Sequence, residues 1–134
     1  MIHRLIAYSL ILLGIVGTIY MGFEGIYGDR YDTPSLGLAS LNRQVQDSIP
    51  LLLIDVRTPV EVASRPAPWD GVLNIPLLDL ESRTHELAAY RGSSIVVLCP
   101  TGTRSAEGAR VLRVAGYKAV FLQDGMFDRK EKAL

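Results

Sequence analysis

A chain of 134 residues, 49% of them apolar, has material for one core-forming domain and a short appendage, and this argues against a second full domain. Its 14 basic and 14 acidic residues cancel, so no overall charge directs it to nucleic acid or to a strongly acidic partner. The lone cysteine, Cys99, cannot form an internal disulfide, and with only His3 and His85 beside it no Cys/His metal cage is expected, nor is the redox compartment decided. Both histidines sit in polar or terminal surroundings and read as solvent-exposed.

The first element is apolar and uncharged. Leu5 to Phe23 runs nineteen residues without a charge, and as a helix it would extend roughly 28 Å, close to the hydrocarbon thickness of a bilayer. The spacing predicts one N-terminal transmembrane helix. His3 and Arg4 precede it, whereas Glu24, Asp29 and Asp32 follow with Arg30. The positive-inside bias then leaves the N-terminus in the cytoplasm and the rest of the chain facing the periplasm or exterior, and the brief n-region without a transit-peptide composition fits a single pass of a bacterial inner membrane. No pair of small residues marks a cleavage site, so a retained anchor is favoured over a cleaved signal peptide and a secreted form. Gly14, Thr18 and Gly22 recur at every fourth residue, a weak signal for a homodimer through two such helices. The organisation expected is an anchor over 1–23, a Gly-, Pro- and charge-containing linker over 24–35, and a domain over 36–134.

Within the domain, helical and strand-like stretches alternate. Ser35 to Ser48 places Leu38, Leu41 and Val45 at helical spacing. "PLLLIDVRTP" is a continuous apolar run of the kind a buried parallel strand needs, ending in Asp55 and Arg57 before Pro59. Pro66, Pro68 and Gly71 mark a loop, Val72 to Pro76 a short strand, and Asp79 to Tyr90 a helix with Leu80, Thr84, Leu87 and Ala88 on one face. "SIVVLC" is β-branched, uncharged and too short for a helix. A helix beginning near Ser105 follows, with Gly108, Val111, Leu112 and Ala115 along one side and Gly116 closing it. Lys118 to Leu122 reads as the last strand, and the remainder as a loop with a brief terminal helix. This alternation implies an α/β domain with a parallel sheet covered on both faces, and a crevice at the carboxyl ends of its strands, where Asp55, Arg57 and Cys99 fall.

The residues after Cys99 are small and suited to a tight turn. In Pro100, Thr101, Gly102 and Thr103, backbone N–H groups can point inward, and a helix N-terminus behind them makes an anion-favouring nest. A thiol at its centre would be shifted toward thiolate, with Arg104 adding a fork of donors for an anionic substrate and no histidine required. A cysteine that ends a core strand can also serve packing alone. Gly102 and Arg104 at a helix start tip the balance toward chemistry.

"LLLIDVRTPVEV", "VLNIPLLDL" and "VVLCPTGTRSAEGARVLRVAGYKAVFLQDGM", in that order, resemble the rhodanese-like sulfurtransferases over Leu36 to about Phe127. The resemblance implies a three-layer rhodanese-like domain in which Cys99 accepts sulfane sulfur as a persulfide. It implies that Cys99 to Arg104 form the cradle, with Pro100, Thr101, Gly102, Thr103 and Arg104 on the substrate side. Asp55 and Arg57, with Ser105, support the site, and an ion pair that holds the turn is the role expected of Asp55 and Arg57. Four residues separate Cys99 from Arg104, one fewer than in related phosphatase-type loops, which suits a single sulfur atom and leaves phosphatase or arsenate reductase chemistry a minor alternative. The implied reaction moves sulfur from a small anionic donor such as thiosulfate, or from a persulfide, to a thiol or cyanide, with no metal or organic cofactor. A binding or sulfur-carrier module with little turnover is the alternative. "SRPAPWDGV" replaces a His-Pro-Gly turn common in the family, with Trp69 expected to cover the core edge. Pro100 stands where some thiosulfate-using members carry a basic residue.

Overall fold

Five parallel strands form the centre of the domain: β1 (Ser35–Leu36), β2 (Leu51–Asp55), β3 (Leu73–Asn74), β4 (Ser94–Leu98) and β5 (Lys118–Leu122). Their spatial order is β1-β5-β4-β2-β3. The computed structural model describes residues 15–16 and 32–127, and the compact unit that contains the sheet begins at Thr33. The expected membrane anchor, apart from residues 15 and 16, and residues 24–31 of the expected linker lie outside the described residues. Among those described, no helix is long and apolar enough to cross a membrane.

The apolar runs become strands because both of their faces are covered. Leu52, Ile54, Ile95 and Val97 point into one core with Ile75, Leu80, Leu87, Ala109, Leu112 and Ala119. Leu53, Val96, Leu98 and Leu122 point the other way, against Leu41, Met126 and Phe127. A period of two on a continuously apolar strand thus serves two cores, the arrangement a doubly covered parallel sheet requires. The helices are α1 (Leu38–Gln46), α2 (Pro59–Ser64), α3 (Leu77–Arg83), which passes into a 3₁₀ helix over Thr84–Tyr90, and α4 (Thr103–Val114).

Three expectations need correction. Ser35 and Leu36 are not helical; they pair with Phe121 and Leu122 at the sheet edge, and α1 starts only after Gly37. Two residues are too few to show a strand period, and the partner is 86 residues away in sequence. The helix expected over Asp79 to Tyr90 starts earlier, at Leu77 behind Pro76, and tightens to 3₁₀ at Thr84. There the Tyr117 hydroxyl donates to the Thr84 carbonyl at 2.7 Å. Finally, α2 was not foreseen. It is six residues long with no buried side chain, so no apolar face announces it, but its N-terminus carries a full capping box. Thr58 Oγ1 accepts from the Glu61 amide, and the Thr58 amide donates to Glu61 Oε2 at 3.0 Å.

The direction in which successive strands are laid down reverses between β2 and β4: from β2 the chain crosses outward to β3, and from β4 it crosses the opposite way to β5. Such a switch point opens a crevice at the carboxyl ends of the two strands. Asp55 at the end of β2 lies in register with Leu98 at the end of β4, immediately before Cys99.

Candidate active site

Cys99 leaves β4 at this switch point with no exposed surface. The turn behind it is shorter than expected, because α4 begins at Thr103 rather than near Ser105. Thr103 and Arg104 are therefore in the first helical turn, and only Pro100, Thr101 and Gly102 bridge strand and helix. Gly102 makes this possible. Its φ of 90° is left-handed, and a Cβ there would collide with the Gln123 carbonyl oxygen. Gly125 braces the same loop from the far side, where a Cβ would run into the Pro100 carbonyl. Next to it, the Met126 amide donates to the Cys99 carbonyl at 3.0 Å.

The backbone then surrounds the sulfur with donors. Gly102 N–H lies 3.0 Å and Ser105 N–H 3.3 Å from Cys99 Sγ. Burial pushes the thiol up, but hydrogen bonds from the Ser105 side chain and from the amides of Thr101, Ser105 and Gly102 outweigh it and hold the pKa below its ordinary value. Ser105 has one hydroxyl proton. With Cys99 protonated, the thiol donates to Ser105 Oγ at 3.3 Å while that hydroxyl donates to the Gly102 carbonyl at 2.9 Å. When the thiol ionises, the same hydroxyl can turn its proton to the sulfur. Ser105, expected only as support, is a direct partner of the Cys99 sulfur.

Asp55 and Arg57 are a structural pair, as expected. Both are buried, with Arg57 Nη2 2.6 Å from Asp55 Oδ2 and Arg57 Nε bonded to both carboxylate oxygens. Arg57 Nη1 also donates to the Arg65 carbonyl at 2.9 Å, tying the end of β2 to the end of α2. Asn74, which sequence reading passed over, donates from Nδ2 to the carbonyls of both Asp55 and Arg57. Trp69 packs at the edge of the second core and donates to Asn42 Oδ1 at 3.0 Å, a structural position.

Arg104 is placed differently from expectation. Its guanidinium does not stand open to an anion; it grips Glu61 of α2 with Nη2 at 2.7 Å from Oε1 and Nη1 at 2.9 Å from Oε2. The Arg104 fork and the Thr58 donors hold the Glu61 carboxyl far below the usual carboxylate range. The pairing with Glu61 in turn raises Arg104 above the ordinary guanidinium value, against burial, with smaller pulls from the charges of Cys99 and Asp55. Glu61 is the site residue missed from sequence. Thr58 followed three positions later by Glu61 is the signal that could have located it. His85 is exposed, as expected, with Nδ1 2.9 Å from the Ser82 carbonyl. Among the described residues no cluster of three or more His, Cys, Asp or Glu could hold a metal. A cavity of about 540 Å³ opens toward the amino ends of β4 and β5, beside Ser94 and Lys118, away from Cys99.

The family model for the rhodanese-like domain matches residues 38–132. The chain belongs to the rhodanese-like family. Within it, the chain is similar to YrkF of Bacillus subtilis, named as a sulfur carrier protein, with 32% identity over 87 residues, 65% of this chain and 45% of that protein. A protein of Allochromatium vinosum named sulfurtransferase is 32% identical over 81 residues, 60% of this chain and 72% of its own length. The chain thus spans less than half of the Bacillus relative and nearly three quarters of the Allochromatium one. The structure of a human single-domain sulfurtransferase superposes with a TM-score of 0.60 at 26% identity, covering 75% of this chain and 97% of that one. In the turn that follows β4, the Cys99 sulfur is ringed by amides rather than by charged side chains.

Proposed function

We propose that the protein is a sulfurtransferase in which Cys99 carries sulfane sulfur from thiosulfate or a persulfide donor to a thiol or cyanide. The observation that carries this reading is the ring of donors around Cys99 Sγ, the amides of Thr101, Gly102 and Ser105 with the Ser105 hydroxyl, which favours the thiolate and would equally favour a terminal persulfide anion. The Cys99 thiolate attacks the outer sulfur of the donor and forms a new S–S bond. The donor's own S–S bond breaks, its electron pair leaving on sulfite or on the donor thiolate. Acceptor attack on the outer sulfur then returns the Cys99 thiolate. Because Cys99 has no exposed surface, neighbouring groups must move aside to admit each reactant.

Complete burial of Cys99 and the similarity to a sulfur carrier favour a second reading, a carrier module with little turnover of its own. One experiment separates the two. Intact-mass spectrometry of the full chain in detergent, before and after thiosulfate or glutathione persulfide, should show the gain of one sulfur. The gain should be absent in Cys99→Ser and lost on adding cyanide. Repeated rapid cycles with cyanide mark an enzyme, a single slow discharge marks a carrier, and no adduct from either donor refutes both.

We further propose that residues 5–23 anchor the protein in a bacterial inner membrane with the domain on the periplasmic side. A C-terminal fusion to a phosphatase reporter that folds only in the periplasm should be active and should sediment with membranes. An inactive fusion would place the domain in the cytoplasm.

A further inference from the structure

Glu61 and Arg104 form a two-point ion pair that joins the first turn of α4, the helix behind the sulfur cradle, to the first turn of α2. The pair is about one third exposed on both sides, so it stands within reach of an incoming molecule. Its fork-to-fork geometry uses both guanidinium nitrogens and both carboxylate oxygens. Glu61 is held in turn by Thr58, through its amide at 3.0 Å and its hydroxyl at 2.8 Å, so the carboxylate cannot swing away without uncapping α2. The neighbouring cation Arg57 is buried against Asp55. Each of these two guanidinium groups therefore already has a carboxylate partner.

The two donor classes meet this arrangement differently. Thiosulfate carries its charge on a sulfonate next to the sulfur under attack, and binding it against a thiolate calls for a cation that holds the sulfonate. A thiol persulfide needs no such cation, because its reacting end is two sulfur atoms that the loop amides can receive. To serve thiosulfate, Arg104 must leave Glu61, and the released carboxylate then faces the dianion. We propose that Glu61 is a specificity-determining residue that withholds Arg104 from dianionic donors and thereby selects thiol persulfides over thiosulfate as the sulfur source. This rests on the sulfurtransferase reading above. The step is Cys99–S⁻ plus R–S–SH giving Cys99–S–SH plus R–S⁻: one S–S bond forms, one breaks, and the thiolate R–S⁻ leaves with the electron pair.

The test is Glu61→Gln, which removes the charge but keeps a side chain able to accept from the Thr58 amide, so α2 remains capped. The full chain in detergent is assayed with thiosulfate and with glutathione persulfide. In Glu61→Gln the ratio of kcat/KM for thiosulfate to that for the persulfide should rise on the order of tenfold, mainly through a lower KM for thiosulfate, as expected when one opposing charge is removed near a bound anion. Added salt should shrink the gain. An unchanged or lowered ratio overturns the proposal and means that Glu61 only positions Arg104. In the unaltered chain, thiosulfate loading Cys99 as fast as glutathione persulfide overturns it whatever the variant does. If neither donor loads Cys99 in either protein, the sulfurtransferase reading itself fails, and the selectivity proposal with it.

Discussion

Cys99 and Ser105 share a short proton-bearing chain, and the pH behaviour of the site follows from it. Because the hydrogen bonds from Ser105 and the loop amides depress the thiol pKa, Ser105→Ala should move the titration of Cys99 upward. With one cysteine in the chain, the ultraviolet absorbance of the thiolate reports this group directly. The same change should lower sulfur-transfer kcat/KM at neutral pH on the order of tenfold, the effect of losing one hydrogen bond to a charged atom. The stability sign is fixed as well. A thiol whose pKa is lower folded than unfolded adds stability that is present above the unfolded value and lost as pH falls through the folded one. The stability gap between the native protein and Cys99→Ser in urea should accordingly widen from acid toward alkaline pH. Gly125 makes a separate case: Gly125→Ala meets the Pro100 carbonyl at a φ of 77° and should cost about 2 kcal/mol or more while disturbing the Cys99 loop.

At the scale of elements, the site is an agreement between the ends of β2 and β4 and the starts of α2 and α4. The buried Asp55–Arg57 pair holds the β2 side. Arg57→Met would leave a buried carboxylate without its partner and should destabilise the domain by about 3–5 kcal/mol in urea unfolding. Adding Asp55→Asn should recover part of that loss, because the stranded charge is then gone. Phe127 closes this corner, with the Arg57 and Arg65 guanidinium carbons 5.3 and 3.7 Å from its ring centroid. The chain after β5 therefore contributes to the site twice, through Gly125 under the loop and Phe127 over the arginines.

Across the whole domain, the order β1-β5-β4-β2-β3 brings together residues from four separate parts of the sequence. Cys99 follows β4, Asp55 ends β2, Glu61 belongs to α2, and Gly125 follows β5. Neither face of the sheet is open, so the carboxyl edge is where a reactant can meet several elements at once. That edge also carries two left-handed glycines, Gly102 at the head of α4 and Gly125 beneath the loop.

The strongly apolar stretches were legible from sequence alone, because β-branched runs such as Ile95 to Leu98 allow few other placements. The span of β5 was read without error, and so was the position of Cys99 at the end of a strand. Local spacing also conveyed the loop chemistry, since a small-residue turn ahead of a helix has amides to direct at one atom. What lacked an apolar or periodic signal was missed or misjudged. The two residues of β1 pair across a long loop, α2 buries no side chain, and the 3₁₀ turn at Thr84 answers to Tyr117 from a distant segment. The role of Arg104 shows the limit most clearly. Its identity and spacing read as a donor fork for a substrate, and only the packing of α2 beside α4 revealed that Glu61, 43 positions earlier, already occupies that fork. Residue types and periodicity determined which groups could do chemistry, whereas long-range charge pairing, invisible in any local window, decided which of them are free to do it.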